Sequence, residues 1–452
     1  MLIPAERRTS QLKTSWLKNL LPQEVLQVIS GSAFIFFCRV FGAVIAFCTH
    51  VLLARWMGAE ELGRYAFAWS WVIILAVIPV SGHIAAAMRF IGQGIADKNP
   101  GYVRGFIRYA TALALIGTFS IVLVGSAILS GIQDASSSTR LLYLASLLSV
   151  PAMALIKLHS GMANAFSRIS LSFLPNNIVR PLLFLVGILA AWFSYGEMNS
   201  ETAMWMHLAA MIAVAIPSII YFHVSTRRDL GQVRPVYEVS NWNRTAISLL
   251  LLSVFTNNFS ELMVITTGFF VPSAELGIYN AALRLALLVK FGLFAIDAFT
   301  APALTQHYRN KEQKELTRVA RRATKLQVLS TLIPIVVFIF AGEHLLGMFG
   351  AEFKSGYTVL IILGASYLPV AAVGPATRML GVTGFHIQGL KASLLALILW
   401  CLIAPALTSS YGIVGAATAG LITLTAWSAA LWFYVHRCLS INTLSFLSLK
   451  RL

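Results

Sequence analysis

The chain has 452 residues, 58% of them hydrophobic and only 11% charged, with a mean hydropathy of +0.77. Soluble domains carry about 25% charged residues, so this composition excludes an ordinary soluble protein and defines a membrane protein. The net charge of +17 is not gathered on one soluble face and there are only four cysteines, which sets aside nucleic-acid binding and a disulfide scaffold.

A spanning helix needs about 20 mostly apolar residues. The first apolar run starts near residue 28, exceeds 20 residues and lacks a small-residue cleavage site, so a retained first span is expected. In chain order the spans read 28–50, 66–88, 109–129, 141–156, 181–196, 203–222, 246–268, 277–303, 327–347, 356–377, 392–408 and 412–436. Runs of this length exclude barrel strands, so the expected class is an all-α polytopic membrane protein of about 12 helices. Cys38 and Cys48 lie on one predicted helix about 15 Å apart, too far to bridge.

Twelve spans put both termini on one side. That side carries 27 of the lysines and arginines, in the tails and the even-to-odd connections. The opposite connections hold only Arg55, Arg64, Arg140 and Lys354, while Arg39, Arg284 and Lys290 fall inside spans. The asymmetry places both termini in the cytoplasm and makes most of the net charge a topology signal. Arg89, Arg180 and Arg378 lie near cytoplasmic ends and read mainly as part of that signal, with Arg89 also kept as a candidate ligand contact.

The halves resemble each other. "AEELGRYAFA" at 59–68 matches "SAELGIYNAA" at 273–282, Met162 in "SGMANAF" aligns with Met379 in "TRMLGVTGF", and "YG" recurs at 195 and 411. A nearly constant shift across several spans predicts two six-helix lobes in the same orientation. The expected division is a tail 1–27, a first lobe 28–233, a second lobe 234–438 and a tail 439–452. The lobe boundary falls in the basic stretch 224–245, which with 304–326 forms the longest polar connections. The repeated "AELG" is expected to place a carboxylate at a helix N-terminus and Tyr65 or Tyr279 at the outer interface. Pro79, Pro151, Pro369 and the Gly374–Pro375 pair are expected to interrupt spans two, four and ten.

Polar groups inside the spans carry the functional signal. An arginine at a helix centre costs roughly 2.5–3.5 kcal/mol on insertion scales. At 100° per residue, Ser32, Ala43, Ala46 and His50 share the Arg39 face. Phe34, Phe37, Phe41, Val44, Ile45 and Cys48 lie opposite, so the arginine is expected to face a protein interior or cleft. Lys290 sits at similar depth in the eighth span. Lys290 and Asp297 share a face, but the lysine leans away along its helix, so each should seek other partners. Ser253, Asn257, Ser260 and Glu261 form a polar stripe on the seventh span, and Glu261 matches Arg284 in depth, which predicts an ion pair. Two carboxylates against three cations leave a surplus that favours an anionic ligand. No metal-spaced His/Cys cluster, phosphate loop or nucleophile elbow occurs, and no polar connection is of enzymatic size, so neither enzyme chemistry nor a cofactor is expected.

The stretches "CRVFGAVIAFCTHVLLARWMGAEELGRYAFAWSW", "AAAMRFIGQ", "GAEFKSGYTVLIILGASYLP" and "YGIVGAATAGLIT" resemble the Wzx-type polysaccharide-unit flippases of the MATE/MOP exporter superfamily. The resemblance implies two lobes around a central cleft lined by helices 1, 2, 7 and 8. It implies movement of polyprenyl-diphosphate-linked oligosaccharides from the inner to the outer leaflet of a bacterial cytoplasmic membrane, for O-antigen, capsule or exopolysaccharide synthesis. Membrane lipids and a polysaccharide polymerase or assembly machinery follow as partners, with a proton or sodium ion as coupling ion. On this reading Arg39, Lys290, Arg284, Arg89, His50 and Asn257 contact substrate, and Glu261 and Asp297 are coupling candidates. Two alternatives within the superfamily stay open: a cation-coupled multidrug antiporter, expected to favour carboxylates in its cleft, and a lipid II flippase, expected to have fourteen spans. A membrane-embedded glycan polymerase or ligase would need a long outer loop that this chain lacks.

Overall fold

The computed structural model describes residues 23–132 and 136–442. The tails 1–22 and 443–452 therefore lie outside the described residues, as do the side chains of Ser32 and Ser253. The described residues are almost wholly helical, and eight helices are long and apolar enough to cross a membrane. Two of these are double. The helix Gln23–Val77 turns at Gly58 (φ 73°) and His386–Leu439 turns at Gly412 (φ 57°), both in the left-handed region that favours glycine.

Counted between such turns, the described residues form twelve rods. They are α1 (23–57), α2 (59–96), α3 (Pro100–Gly131), α4 (Ser137–Ala165), α5 (169–195) and α6 (Ser200–Leu230). The second six are α7 (Val239–Gly268), α8 (273–309), α9 (Gln313–Gly347), α10 (351–382), α11 (386–411) and α12 (413–439). The two stretches read as long polar connections are mostly helical. α6 continues to Leu230, and α8 and α9 are joined by only 310–312. Polar residues at the ends of these helices extend them beyond the apolar spans, because a helix that has left the bilayer still satisfies its own backbone.

The internal repeat is built into the seam between the lobes. A Cβ on Gly63 would lie 1.8 Å from the Ser273 carbonyl oxygen, and one on Gly277 would lie 2.0 Å from the Ala59 carbonyl oxygen. Residues 63 and 277, and 59 and 273, are the repeat equivalents, so α2 and α8 cross backbone to backbone about a local pseudo-twofold. Only small residues allow such an approach. Glu352 reinforces this outer seam by accepting a hydrogen bond from the Ala59 amide at 2.8 Å, and Arg55 Nε donates to the Met348 carbonyl at 2.6 Å. The recurring "YG" closes an equivalent turn in each lobe, since Gly196 and Gly412 both adopt positive φ.

The inner half of α7 is bound to the first lobe. Trp242 is fully buried and donates from Nε1 to Tyr102 at 3.0 Å, Tyr109 donates to Asn243 at 2.9 Å, and Gly82 abuts the Ala246 backbone. The outer half of α7 packs into the second lobe through Phe255 on Trp427 and Phe259 on Trp400. Asn258, with non-helical angles (φ −126°, ψ 15°), marks the bend between these two allegiances.

Two expectations are corrected here. Tyr65 and Tyr279 are buried (1% and 0% exposed), not placed at an interface, because the close α2–α8 crossing draws both inside the protein. Pro151 does not interrupt α4, which runs unbroken from Ser137 to Ala165. By contrast α2 does break at 78–80 around Pro79, and α10 breaks at Ser366 and Gly374.

Candidate functional site

The Arg39 face of α1 meets α8 across the gap between lobes. The Arg39 guanidinium lies 5.8 Å from the Phe173 ring of α5 and 5.5 Å from the Phe294 ring of α8. Lys290 Nζ lies 5.6 Å from that same Phe294 ring. One aromatic ring from the second lobe thus stands beside a cation from each lobe, held by the attraction of positive charge for the ring's quadrupole. Among the described residues, no hydrogen bond or ion pair engages either cationic head. The Arg39 side chain is exposed.

The small side of α1 borders a cavity of about 280 Å³. Ala43, Ala46 and His50 form one wall; Ser260, Arg284 and Lys290 contribute to the other. Phe37, Phe41, Val44 and Cys48 are exposed on the other side, as lipid contact requires. Ile45, expected with them, is buried instead, because it shares the flank on which Gly42 meets the Asn177 backbone of α5.

Glu261 ties the lobes together at the head of this cavity. It accepts from Arg284 Nη1 at 3.3 Å and from Ser70 of α2 at 2.8 Å, and is itself buried. The paired charges offset each other's desolvation, which neither could bear alone. Asp297 does not pair with Lys290; it accepts from Gln327 Nε2 at 2.7 Å. Asn257 and Asp297 line a second, larger cavity inside the second lobe, which Lys290 also borders. Arg89 stands on the inner half of α2 over Phe90 and lines neither cavity.

Arg180, expected near a cytoplasmic end, and Lys157, one residue past the expected span 141–156, both lie inside helices. Lys157 lies well inside α4, eight residues before its end at Ala165. Arg180 follows a π-turn, Pro175–Val179, in the middle of α5. Asn176, Asn177 and Arg180 interrupt the apolar run, so hydropathy alone starts the span at 181, although the helix begins at Ile169. Arg180 Nη1 donates to His207 Nε2 at 2.9 Å. Arginine has no acceptor, so Nε2 is the unprotonated nitrogen, and Nδ1 carries the proton to Tyr65 Oη at 2.7 Å. The imidazole is stacked between Trp69 and Phe184, with ring centroids 3.8 and 4.1 Å away. Sequence reasoning missed this network; the polar "PNN" before Arg180, helical in a π-turn, was its only signal.

Arg39, Lys157, Arg180, Arg284 and Lys290 thus lie within membrane helices, against the carboxylates Glu261 and Asp297. The helices around these groups are discontinuous. α5 carries its π-turn, α7 bends at Asn258, α8 breaks at Leu287–Leu288, and α10 turns at Gly374 (φ 71°). Broken helices expose backbone groups inside a bilayer only where protein or a polar cavity can satisfy them, and they mark ligand sites in transporters.

Twelve helices in two repeat-related lobes around a cationic cleft define a multi-pass membrane protein with a transporter fold. No protein-family model matches the chain. It is 23% identical over 436 residues, 94% of this chain and 85% of its relative, to a probable low-salt glycan biosynthesis flippase of Haloferax volcanii. Among solved structures it is similar to a multidrug resistance MATE transporter of the MOP superfamily in an inward-facing conformation. The TM-score is 0.73 at 12% identity, over 91% of this chain and 96% of that one. A MOP-superfamily transporter from Pyrococcus furiosus, described as having a binding pocket of reverse polarity, aligns with a TM-score of 0.66 at 12% identity, over 91% and 95%. The fold is that of the MATE/MOP transporters. The resemblance to Wzx-type flippases within that superfamily, drawn from sequence motifs, fits both comparisons.

Proposed function

We propose that the chain is a flippase that moves polyprenyl-diphosphate-linked oligosaccharides from the inner to the outer leaflet of the cytoplasmic membrane. Its role would lie in polysaccharide synthesis, alongside a polymerase or assembly machinery. The observation that carries this reading is Arg39 and Lys290, one from each lobe, both within about 6 Å of the Phe294 ring and with no acceptor on either head among the described residues. Cations within membrane helices are retained only where something neutralises them. A diphosphate supplies that charge, received by a planar fork on one side and a compact ammonium on the other.

In the mechanism, the diphosphate enters the cleft from the cytoplasmic leaflet and is bound by Arg39 and Lys290, with Arg284 and His50 at the cavity wall. The polyprenyl tail stays in the bilayer. Neutralisation removes the main barrier to crossing, since an unpaired phosphate in a low-dielectric interior is strongly disfavoured. Opening of the outer seam between α2 and α8 then releases the head group outside. Glu261, which bridges Ser70 and Arg284 across the lobes, is the group whose protonation or ion binding would couple that opening to a gradient. Both termini lie in the cytoplasm on this reading.

The relative from Haloferax volcanii, a glycan biosynthesis flippase by description, supports this choice over drug export. So does the excess of cations over carboxylates, which is unfavourable for a cationic drug. Twelve helices rather than fourteen weigh against a lipid II flippase. The test is reconstitution of the full chain in vesicles with a fluorescent polyprenyl-diphosphate oligosaccharide, followed by leaflet exchange. Protein-dependent exchange is expected. Its absence, together with drug-stimulated proton flux, would place the chain among the antiporters.

A further inference from the structure

The second lobe contains a cavity of about 480 Å³, separate from the gap between the lobes but bordering it. Ser260, Lys290 and Phe294 line both spaces. Its size is typical of a small-molecule pocket, about 300–1,000 Å³. We infer that this cavity is a sugar-binding subsite, which receives the saccharide next to the diphosphate while Lys290 holds the phosphate. This inference rests on the flippase reading above.

The lining has two chemical parts. One wall is aromatic, with Phe255 and Phe259 from α7, Tyr367 from α10 and Trp427 from α12. The indole N–H of Trp427 is already donated to Ser393 at 3.2 Å, so Trp427 contributes ring surface to the lining rather than a donor. The C–H-rich faces of a pyranose match such surfaces. Other lining residues are polar or charged. Asp297 has one oxygen on Gln327 Nε2, and its carboxylate keeps further acceptor capacity for hydroxyl donors. Arg378, exposed here, and Lys290 supply donors, so adjacent acceptor and donor groups face one space.

Other occupants fit less well. A polyprenyl tail would leave Asp297, Arg378 and Lys290 against hydrocarbon. A cationic drug would meet two cations for one carboxylate. A hydroxylated, uncharged ring satisfies both kinds of lining residue. The position also follows from covalent connectivity: the anomeric carbon of the first sugar is bonded to the phosphate, so a phosphate on Lys290 puts that sugar within a bond or two of the shared border. The breaks of α7 at Asn258 and α10 at Gly374 both fall on this cavity or beside it.

The experiment compares two probes on the purified full chain: a polyprenyl diphosphate without sugar, and the same lipid carrying one hexose. Wild type is expected to bind the hexose-bearing lipid about tenfold more tightly, the size of one or two charge-assisted hydrogen bonds. Asp297→Asn, which weakens the acceptor, and Tyr367→Leu, which removes the ring face, should each cut that gain while leaving affinity for the bare lipid within about twofold of wild type. Equal affinities for the two lipids in wild type would overturn the sugar subsite while the diphosphate reading stands. So would a gain retained in both variants, or an equal loss for both lipids. Failure of the wild type to bind either lipid would overturn both readings together.

Discussion

At the residue scale, Arg39 is explained by what surrounds it. Its ring neighbours Phe173 and Phe294 hold the guanidinium without neutralising it, which leaves the charge available to a ligand. Arg39→Ala is expected to abolish leaflet exchange with little change in melting temperature, because no acceptor among the described residues is orphaned. Arg39→Lys should restore part of the rate if charge counts for more than fork geometry; a folded alanine variant with normal exchange would remove Arg39 from the mechanism. Arg180 is the opposite case. Its Nη1 is the donor to His207, and Arg180→Met would leave the buried Nε2 without a partner at a cost of about 1–3 kcal/mol. That loss should appear as a lower melting temperature. Glu261→Gln keeps the shape and one acceptor but removes the charge that balances Arg284. Slower exchange and lost gradient dependence are expected, and a variant unchanged in expression, stability and transport would deny the Glu261–Arg284 pair any role.

At the scale of elements, the repeat glycines and the bends divide the work. Gly63 and Gly277 allow α2 and α8 to touch along the outer seam, and any side chain there meets backbone rather than a movable rotamer. Gly63→Val should force the helices apart at a cost of about 1–3 kcal/mol. Because the contact belongs to one state of the cleft, the variant should expose a cysteine introduced at His50 to an impermeant thiol reagent added from outside. Labelling no faster than in the Gly63 parent would argue that the seam does not gate the cleft. α7 joins the two lobes, its N-terminal half anchored by Trp242 to the first and its C-terminal half stacked on Trp400 and Trp427 in the second. The bend at Asn258 lies between these two sets of contacts.

At the scale of the molecule, two lobes joined at the outer seam and by α7 enclose spaces lined by more positive than negative side chains. On the proposed flippase reading, rocking about that connection would exchange which side the cleft faces. Reporter tags on each terminus should both be accessible only from the cytoplasmic side, as the skew of 27 lysines and arginines requires.

The amino-acid sequence determined the class, the twelve helices and the duplication on its own, because lipid imposes length and hydropathy on every span and a repeated motif survives as a register. It also foretold the Glu261–Arg284 pair and the inward face of Arg39, since both follow from helical periodicity and depth. Only the tertiary structure decided which cations are inside. Lys157 and Arg180 looked like span ends, because one charge or a Pro-Asn-Asn stretch interrupts a hydropathy run in the same way whether it lies at the membrane surface or in a helix packed against other helices. The sequence of α8 likewise gave no sign of its break at Leu287–Leu288, where neither proline nor glycine occurs. Periodicity reads one helix at a time; the cleft, the Phe294 ring between two cations and the cavity beside it arise from helices far apart in the chain, and only their packing brings them together.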